Sequence, residues 1–204
     1  TLMLAIIDYG VGNLFSLVSS LKSIGVDAVI TRDPKVIENA DRLILPGVGA
    51  FGDASEKLRL SGLTEIIKNA VEKGTPLMGI CLGMQLLFEK SFEYGEHKGL
   101  GLLKGNVIGM EGTIPKELKI PHIGWNSLKF TKNSPIFKYI NEGDCVYFVH
   151  SFYAVDCEDS LIATAEYGKD LTAAVQSGNV YGCQFHPEKS GNVGLKILKA
   201  FSEV

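Results

Sequence analysis

Cys81 sits in the segment Gly79-Ile80-Cys81-Leu82-Gly83, after an apolar run that reads as a strand (Pro76 to Ile80) and before one that reads as a helix (Met84 to Lys90). This is the thiol counterpart of the G-x-S-x-G nucleophile elbow, in which flanking glycines permit a tight, strained turn that lifts the nucleophile above the sheet edge. The start of a helix favours the thiolate, and the next backbone N–H, that of Leu82, is aimed at an oxyanion forming on an attacked carbonyl. The plainer alternative is a buried, inert cysteine, as most free cysteines are.

A thiol nucleophile needs a base, and the chain offers four histidines: His97, His122, His150 and His186. His186 is the strongest candidate because Glu188 follows at i+2 beyond a predicted strand, Val180 to Phe185. In an extended segment such residues project to one side, so the carboxylate can orient the imidazole and leave its other nitrogen for sulfur. Pro187 disfavours a helical alternative at His186. Taken alone, His-Pro-Glu also reads as a turn with a surface ion pair.

A second glycine cluster, Pro46-Gly47-Val48-Gly49, ends another predicted strand at the sheet edge that an oxyanion donor would come from. Val48 and Gly49 are the candidate donors. The glycines let the main chain approach a ligand closely, and an ordinary strand-to-helix turn is the alternative. Asp8-Tyr9-Gly10-Val11-Gly12-Asn13 lacks the third glycine of a dinucleotide loop. Cys183 and His186 have C-x-x-H spacing, but a metal centre needs two more ligands at a recognisable spacing, so neither metal nor cofactor is expected.

Short apolar runs, glycine-bearing turns and amphipathic stretches alternate along the first ninety residues, as parallel strands with crossover helices do. Strands are predicted at Leu4 to Ile7, Ala28 to Thr31, Leu43 to Leu45 and Pro76 to Ile80. Asn13 can cap a helix carrying Leu14, Leu17, Val18, Leu21 and Ile24 on one face, with Gly25 at its end. Leu58 to Val71 has helical spacing, broken near Ser61 and Gly62.

Beyond Lys90, glycines punctuate short β-prone pieces such as Asn106 to Met110. Further strands are predicted at Val146 to Val149, Leu161 to Ala165, Ala173 to Ser177 and Val180 to Phe185. A final helix, Gly194 to Phe201, turns Leu195, Leu198 and Phe201 inward. The expected fold is α/β: one domain over residues 1–204, with a central mixed, largely parallel sheet flanked by helices.

Composition narrows the partners. Twenty basic residues against 23 acidic ones leave a net charge of −3 among 204 residues, which lacks the positive excess a nucleic acid requires. The opening run Leu2 to Ile7 has no basic flank, and no stretch approaches the roughly 20 apolar residues that cross a bilayer. Four widely spaced cysteines do not make a disulfide scaffold. A cytoplasmic protein is expected.

With these residues in view, the chain resembles the class I, triad-type glutamine amidotransferases over essentially its whole length. The resemblance rests on the elbow, continuing Met84-Gln85-Leu86-Leu87, on His186-Pro187-Glu188-Lys189-Ser190 and on Pro46-Gly47-Val48-Gly49-Ala50-Phe51-Gly52. Asp8-Tyr9-Gly10-Val11-Gly12-Asn13 and Pro121-His122-Ile123-Gly124-Trp125-Asn126 are similar to the branch that serves imidazole glycerol phosphate synthase in histidine biosynthesis.

The resemblance implies the flavodoxin-like architecture of that family, hydrolysis of glutamine to glutamate and ammonia, and delivery of the ammonia to a partner cyclase in a heterodimer. It implies Cys81 as nucleophile, His186 as base and then acid, and Glu188 as its orienter. Gly47, Gln85, Glu93 and the backbone around Ser151 and Phe152 are implied to hold glutamine. Family members often carry tyrosine where Phe152 stands. Asn13, His122, Trp125 and Lys189 are similar to residues facing the partner; on its own Trp125 also reads as a core aromatic. A glutaminase of another branch, such as pyridoxal phosphate synthase, and a catalytically silent binding subunit are the competing readings.

Overall fold

In the computed structural model, which describes residues 2–204, strand β1 (Leu4–Ile7) is buried throughout, and its residues alternate between two apolar layers. Ala5 and Ile7 pack into one cluster, Leu4 and Ile6 into the other. β2 (Ala28–Thr31), β3 (Arg42–Leu45) and β4 (Leu77–Ile80) run parallel to it. Such strands read as unbroken apolar runs because both faces need cover.

The cover comes from the connecting helices. α1 (Leu14–Ser23) buries Leu17 and Leu21 in one layer, and Gly25 takes φ +81° just past its end. Asn13 occupies the position before the helix, but its side chain makes no capping bond. α2 (Pro34–Asn39), α3 (Phe51–Ser61) and α4 (Thr64–Glu72) fill the other layer with Ile37, Phe51, Leu58 and Ile67. The break between α3 and α4 falls at Gly62, φ +75°. α2 is absent from the sequence reading. It starts where Asp33 accepts a hydrogen bond from the Lys35 N–H and Pro34 stands in the first turn, a start signal that precedes too short an apolar pattern to register.

Sequence and structure part after Cys81. The helix expected over Met84 to Lys90 is only α5 (Leu82–Gln85), and the chain then turns into β5 (Lys90–Ser91). The run Leu86-Leu87-Phe88 is buried all round, so its apolarity records depth rather than a helical face. β5, β6 (His97–Lys98) and β7 (Asn106–Gly109) form a small sheet with β11 (Phe152–Val155), while β8 (His122–Ser127) pairs with β10 (Cys145–His150).

The main sheet is completed by β9 (Lys129–Phe130), β12 (Leu161–Glu166), β13 (Asp170–Ser177) and β14 (Val180–Cys183), in the order β2-β1-β3-β4-β14-β13-β12-β9. β14 is parallel to β4, and the strands beyond it are antiparallel. α6 (Gly191–Ser202) closes the first layer; Ile197, Leu198 and Phe201 are buried, while Leu195 is only half-buried. No helix among the described residues is long and apolar enough to cross a membrane.

Candidate active site

Three neighbouring strands, β3, β4 and β14, end side by side, and each delivers one piece of the site: Pro46–Gly49, Cys81 and His186. In open α/β sheets the crevice outside the carboxyl ends of such strands is where ligands bind. Cys81 has φ +56° and ψ −114°, a backbone state that costs a non-glycine residue about 1–3 kcal/mol and persists only when its surroundings impose it. They do: the Cys81 N–H donates to the Cys183 carbonyl at 2.7 Å, and α5 starts at the next residue.

The flanking glycines are needed for close approach. A Cβ on Gly79 would stand 2.6 Å from the Gly83 carbonyl oxygen, and one on Gly83 would run into the Leu45 carbonyl of the adjacent strand.

His186 is 3% exposed. Its Nδ1 lies 2.6 Å from Glu188 Oε1, which leaves the other ring nitrogen for the sulfur. The pairing comes about differently from the extended-strand expectation. His186 is extended, but Pro187–Lys189 is a 3₁₀ turn that folds the carboxylate back onto the ring. Ser190 pins this turn, its Oγ donating to the His186 carbonyl and accepting from the Tyr147 N–H. Burial disfavours the imidazolium, yet hydrogen bonds and charge from Cys81 and Glu188 outweigh it and push the His186 pKa up to about 9.

A cavity of 320 Å³ opens beside the sulfur, lined by Val48, Gly49, Cys81, Leu82, Gln85, Glu93, Tyr94, Pro121, Val149, His150, Ser151, Phe152 and His186, within the range typical of small-molecule sites. Glu93 is 7% exposed, and burial raises its carboxyl pKa despite a hydrogen bond from the Phe51 N–H. Gln85 spends its amide N–H groups on the Phe152 carbonyl and Gln184 Oε1, at 3.2 and 3.1 Å. The Ser151 carbonyl accepts from the Met110 N–H, so the carbonyls of both Ser151 and Phe152 are engaged within the chain.

A model of the family Glutamine amidotransferase class-I matches residues 5–203. The chain belongs to the class-I glutamine amidotransferase family. It is 56% identical over 203 residues to imidazole glycerol phosphate synthase subunit HisH of Caldanaerobacter subterraneus subsp. tengcongensis, covering 99% of this chain and 98% of that one. The subunit of the same name from Aquifex aeolicus is 50% identical over 96% of this chain and 94% of its own. Among solved structures, PurLQS from Thermotoga maritima shares the fold at a TM-score of 0.75 and 23% identity, covering 99% of this chain and 98% of that one.

Two expectations for this amidotransferase need correction. The Leu82 N–H is not free for an oxyanion: it donates to the Gly47 carbonyl at 3.3 Å, because Gly47 at the end of β3 lies directly against the elbow. The Val48 and Gly49 N–H groups have no partner among the described residues. His122 does not face outward. It is 3% exposed, stacked between Phe148 and Tyr167, and Nδ1 lies 2.9 Å from His150 Nε2. The pleat explains this, since β8 alternates and turns Ile123 and Trp125, 58% and 57% exposed, to the other side.

Asn13 and Lys189 are exposed and border a small crevice behind His186 and Glu188. Cys183, the other half of the C-x-x-H pair, is fully buried, which pushes its thiol pKa up. Sequence reasoning missed two residues around the sulfur. Tyr9 donates its hydroxyl to the Pro46 carbonyl at 2.6 Å, and Gln184, 0% exposed, sends its amide to Cys81 Sγ at 3.8 Å. Gln184 precedes the histidine motif by two positions, but a glutamine at a strand end has no signature of its own.

Proposed function

We propose that the chain hydrolyses glutamine through a thioester on Cys81 and passes the ammonia to a cyclase subunit, which forms imidazole glycerol phosphate and the purine-precursor carboxamide ribotide in histidine biosynthesis. The observation that carries the chemistry is the buried row Cys81, His186 and Glu188 at the mouth of the 320 Å³ cavity. Full-length likeness to two subunits of imidazole glycerol phosphate synthase supports the partner.

The thiolate of Cys81 adds to the side-chain amide carbon, and the carbonyl oxygen becomes an oxyanion. His186 gives its proton to the departing nitrogen, which leaves as ammonia. The same ring then takes a proton from water as it attacks the thioester, and glutamate departs with the thiol restored. Glu188 holds the imidazole tautomer through Nδ1. Glu93 receives the substrate amino group. Gln85 Oε1, which has no partner among the described residues, and the chain at Gly47, Ser151 and Phe152 hold the remainder.

Val48 and Gly49 supply the oxyanion donors, and Leu82 joins them once the Gly47 carbonyl turns away. Asn13, Trp125 and Lys189 face the cyclase; the Trp125 ring meets Tyr147 edge-on and lies beside Gly191. All four cysteines are free, which fits a cytoplasmic setting. The test is Cys81→Ala in the complex with the cyclase. Glutamine-dependent synthesis should fall to background while synthesis from added ammonium salt is kept. Glutamine-dependent turnover surviving in that variant rules the reading out.

A further inference from the structure

We propose that Gln184 is a second ligand of the nucleophile: its side-chain amide donates to Cys81 Sγ and holds the sulfur, as thiolate, in the orientation for attack. The inference rests on the reading of Cys81 as nucleophile and adds a group outside the Cys81, His186 and Glu188 row.

The backbone carbonyl of Phe152 can only accept a hydrogen bond. The Phe152 carbonyl lies 3.2 Å from the Gln85 amide nitrogen, so that end of Gln85 must be its NH₂. The same nitrogen lies 3.1 Å from Gln184 Oε1. A donor there requires an oxygen from Gln184, and the NH₂ of Gln184 must therefore point the other way. That way lies Cys81 Sγ, at 3.8 Å. The amide direction follows from the carbonyl at the head of the chain.

The anchor is itself fixed. The Phe152 carbonyl also accepts from His150 Nδ1 at 2.9 Å, and His150 Nε2 faces His122 Nδ1. His122 Nε2 receives the amide of Asn126, whose Oδ1 is taken by the Ser127 N–H. A backbone donor at one end and a backbone acceptor at the other thus order every hydrogen between them, with both imidazoles neutral. Burial lowers the pKa of His122 and drives that of His150 down to about 3, in agreement.

Gln184 has no water in reach at 0% exposure. A buried amide donor aimed at a weak acceptor such as a neutral thiol is poorly satisfied; aimed at a thiolate it makes a charge-assisted bond. The other groups facing the sulfur are His186, with Glu188 behind it, the Val149 carbonyl, which can accept from Sγ at 3.9 Å only while it is protonated, and Tyr9, whose hydroxyl is engaged by Pro46. Of these only His186 and Gln184 bring hydrogen to it.

The test uses the full chain in complex with the cyclase, comparing wild type with Gln184→Leu and Gln184→Glu. Iodoacetamide labelling of Cys81, followed by peptide mass, is timed at pH 7 and at pH 10, below and above the ordinary range for a free thiol. Both variants should react with Cys81 about tenfold more slowly at pH 7 and at nearly the wild-type rate at pH 10, with glutamine-dependent kcat falling in parallel. Gln184→Leu removes the donor without adding charge, while Gln184→Glu keeps the acceptor for Gln85 but sets a carboxylate against the sulfur, so its loss should be at least as large. Unchanged pH 7 to pH 10 ratios in both variants overturn the inference. A wild-type Cys81 no more reactive at pH 7 than the exposed Cys145 overturns the nucleophile reading instead.

Discussion

The elbow around Cys81 and the turn at Pro46–Gly49 sit on adjacent strands and serve the same proposed reaction, yet they are built in opposite ways. The elbow is over-determined: Gly79 and Gly83 are packed against backbone, the Cys81 main chain is locked by Cys183, and His186 is pinned through Glu188 and Ser190. The turn is loose at its outer end, with Val48 45% exposed, Gly49 at φ +97° and nothing within 4 Å of where its Cβ would be. The bend at Cys81 is fixed, whereas the candidate oxyanion donors are only partly available: the Gly47 carbonyl occupies the Leu82 N–H, and those of Val48 and Gly49 lie on the loose turn. On the proposed reading, ammonia release by the isolated chain should stay low until the turn at Gly47 moves.

The rigid half is tested most severely at Glu188. Glu188→Gln keeps the shape but removes the charge that stabilises the imidazolium, and glutamine-dependent kcat should drop by roughly 10⁴-fold, in line with orienting carboxylates elsewhere. The variant should also lose activity at lower pH on the alkaline side. His186 near pKa 9 keeps its proton through neutral pH; without the carboxylate it surrenders that proton sooner. A pH–rate profile with an unmoved alkaline limb contradicts the role given to Glu188.

The loose half predicts a smaller effect, read by comparing glutamine hydrolysis in the isolated chain and in complex with substrate-loaded cyclase. One missing oxyanion donor raises a barrier by about 3 kcal/mol, so activation should be on the order of 10²-fold. Equal rates leave the Gly47 contact without a regulatory role.

The smallest effect separates the two halves by stability. Gly83→Ala drives a methyl into the Leu45 carbonyl and should cost at least about 2 kcal/mol in a denaturant melt. Gly49→Ala meets open space and bears only the strain of positive φ, about 1–2 kcal/mol, so its loss should appear chiefly in turnover. Similar melts for the two variants would erase the contrast.

Much of this was legible in one dimension. Doubly covered parallel strands leave unbroken apolar runs, so β1 through β4 and the elbow were visible within a residue or so; the pairing of His186 with Glu188 was visible too, but not the 3₁₀ turn that makes it. The two-residue strands β5, β6 and β9 are too short for any period, and β8 carries Gly124 and Asn126 and becomes a strand through its pairing with β10. The long helix expected after Met84 failed because an all-round apolar run reports burial without naming the conformation that achieves it.

Residue types and local spacing were enough to point to a thiol on a strained strand-to-helix bend, to a histidine that carries its own carboxylate, and to glycine at the neighbouring strand end. These are short-range facts, written within a few positions of the chain. Only the folded molecule decided that Gln184 reaches the sulfur while its oxygen is held by Gln85, a hundred residues away in the chain, that His122 points inward, and that Gly47 covers the Leu82 N–H. Those depend on which strands lie side by side and which way each pleat turns, and pairing between distant strands leaves no mark on either strand alone.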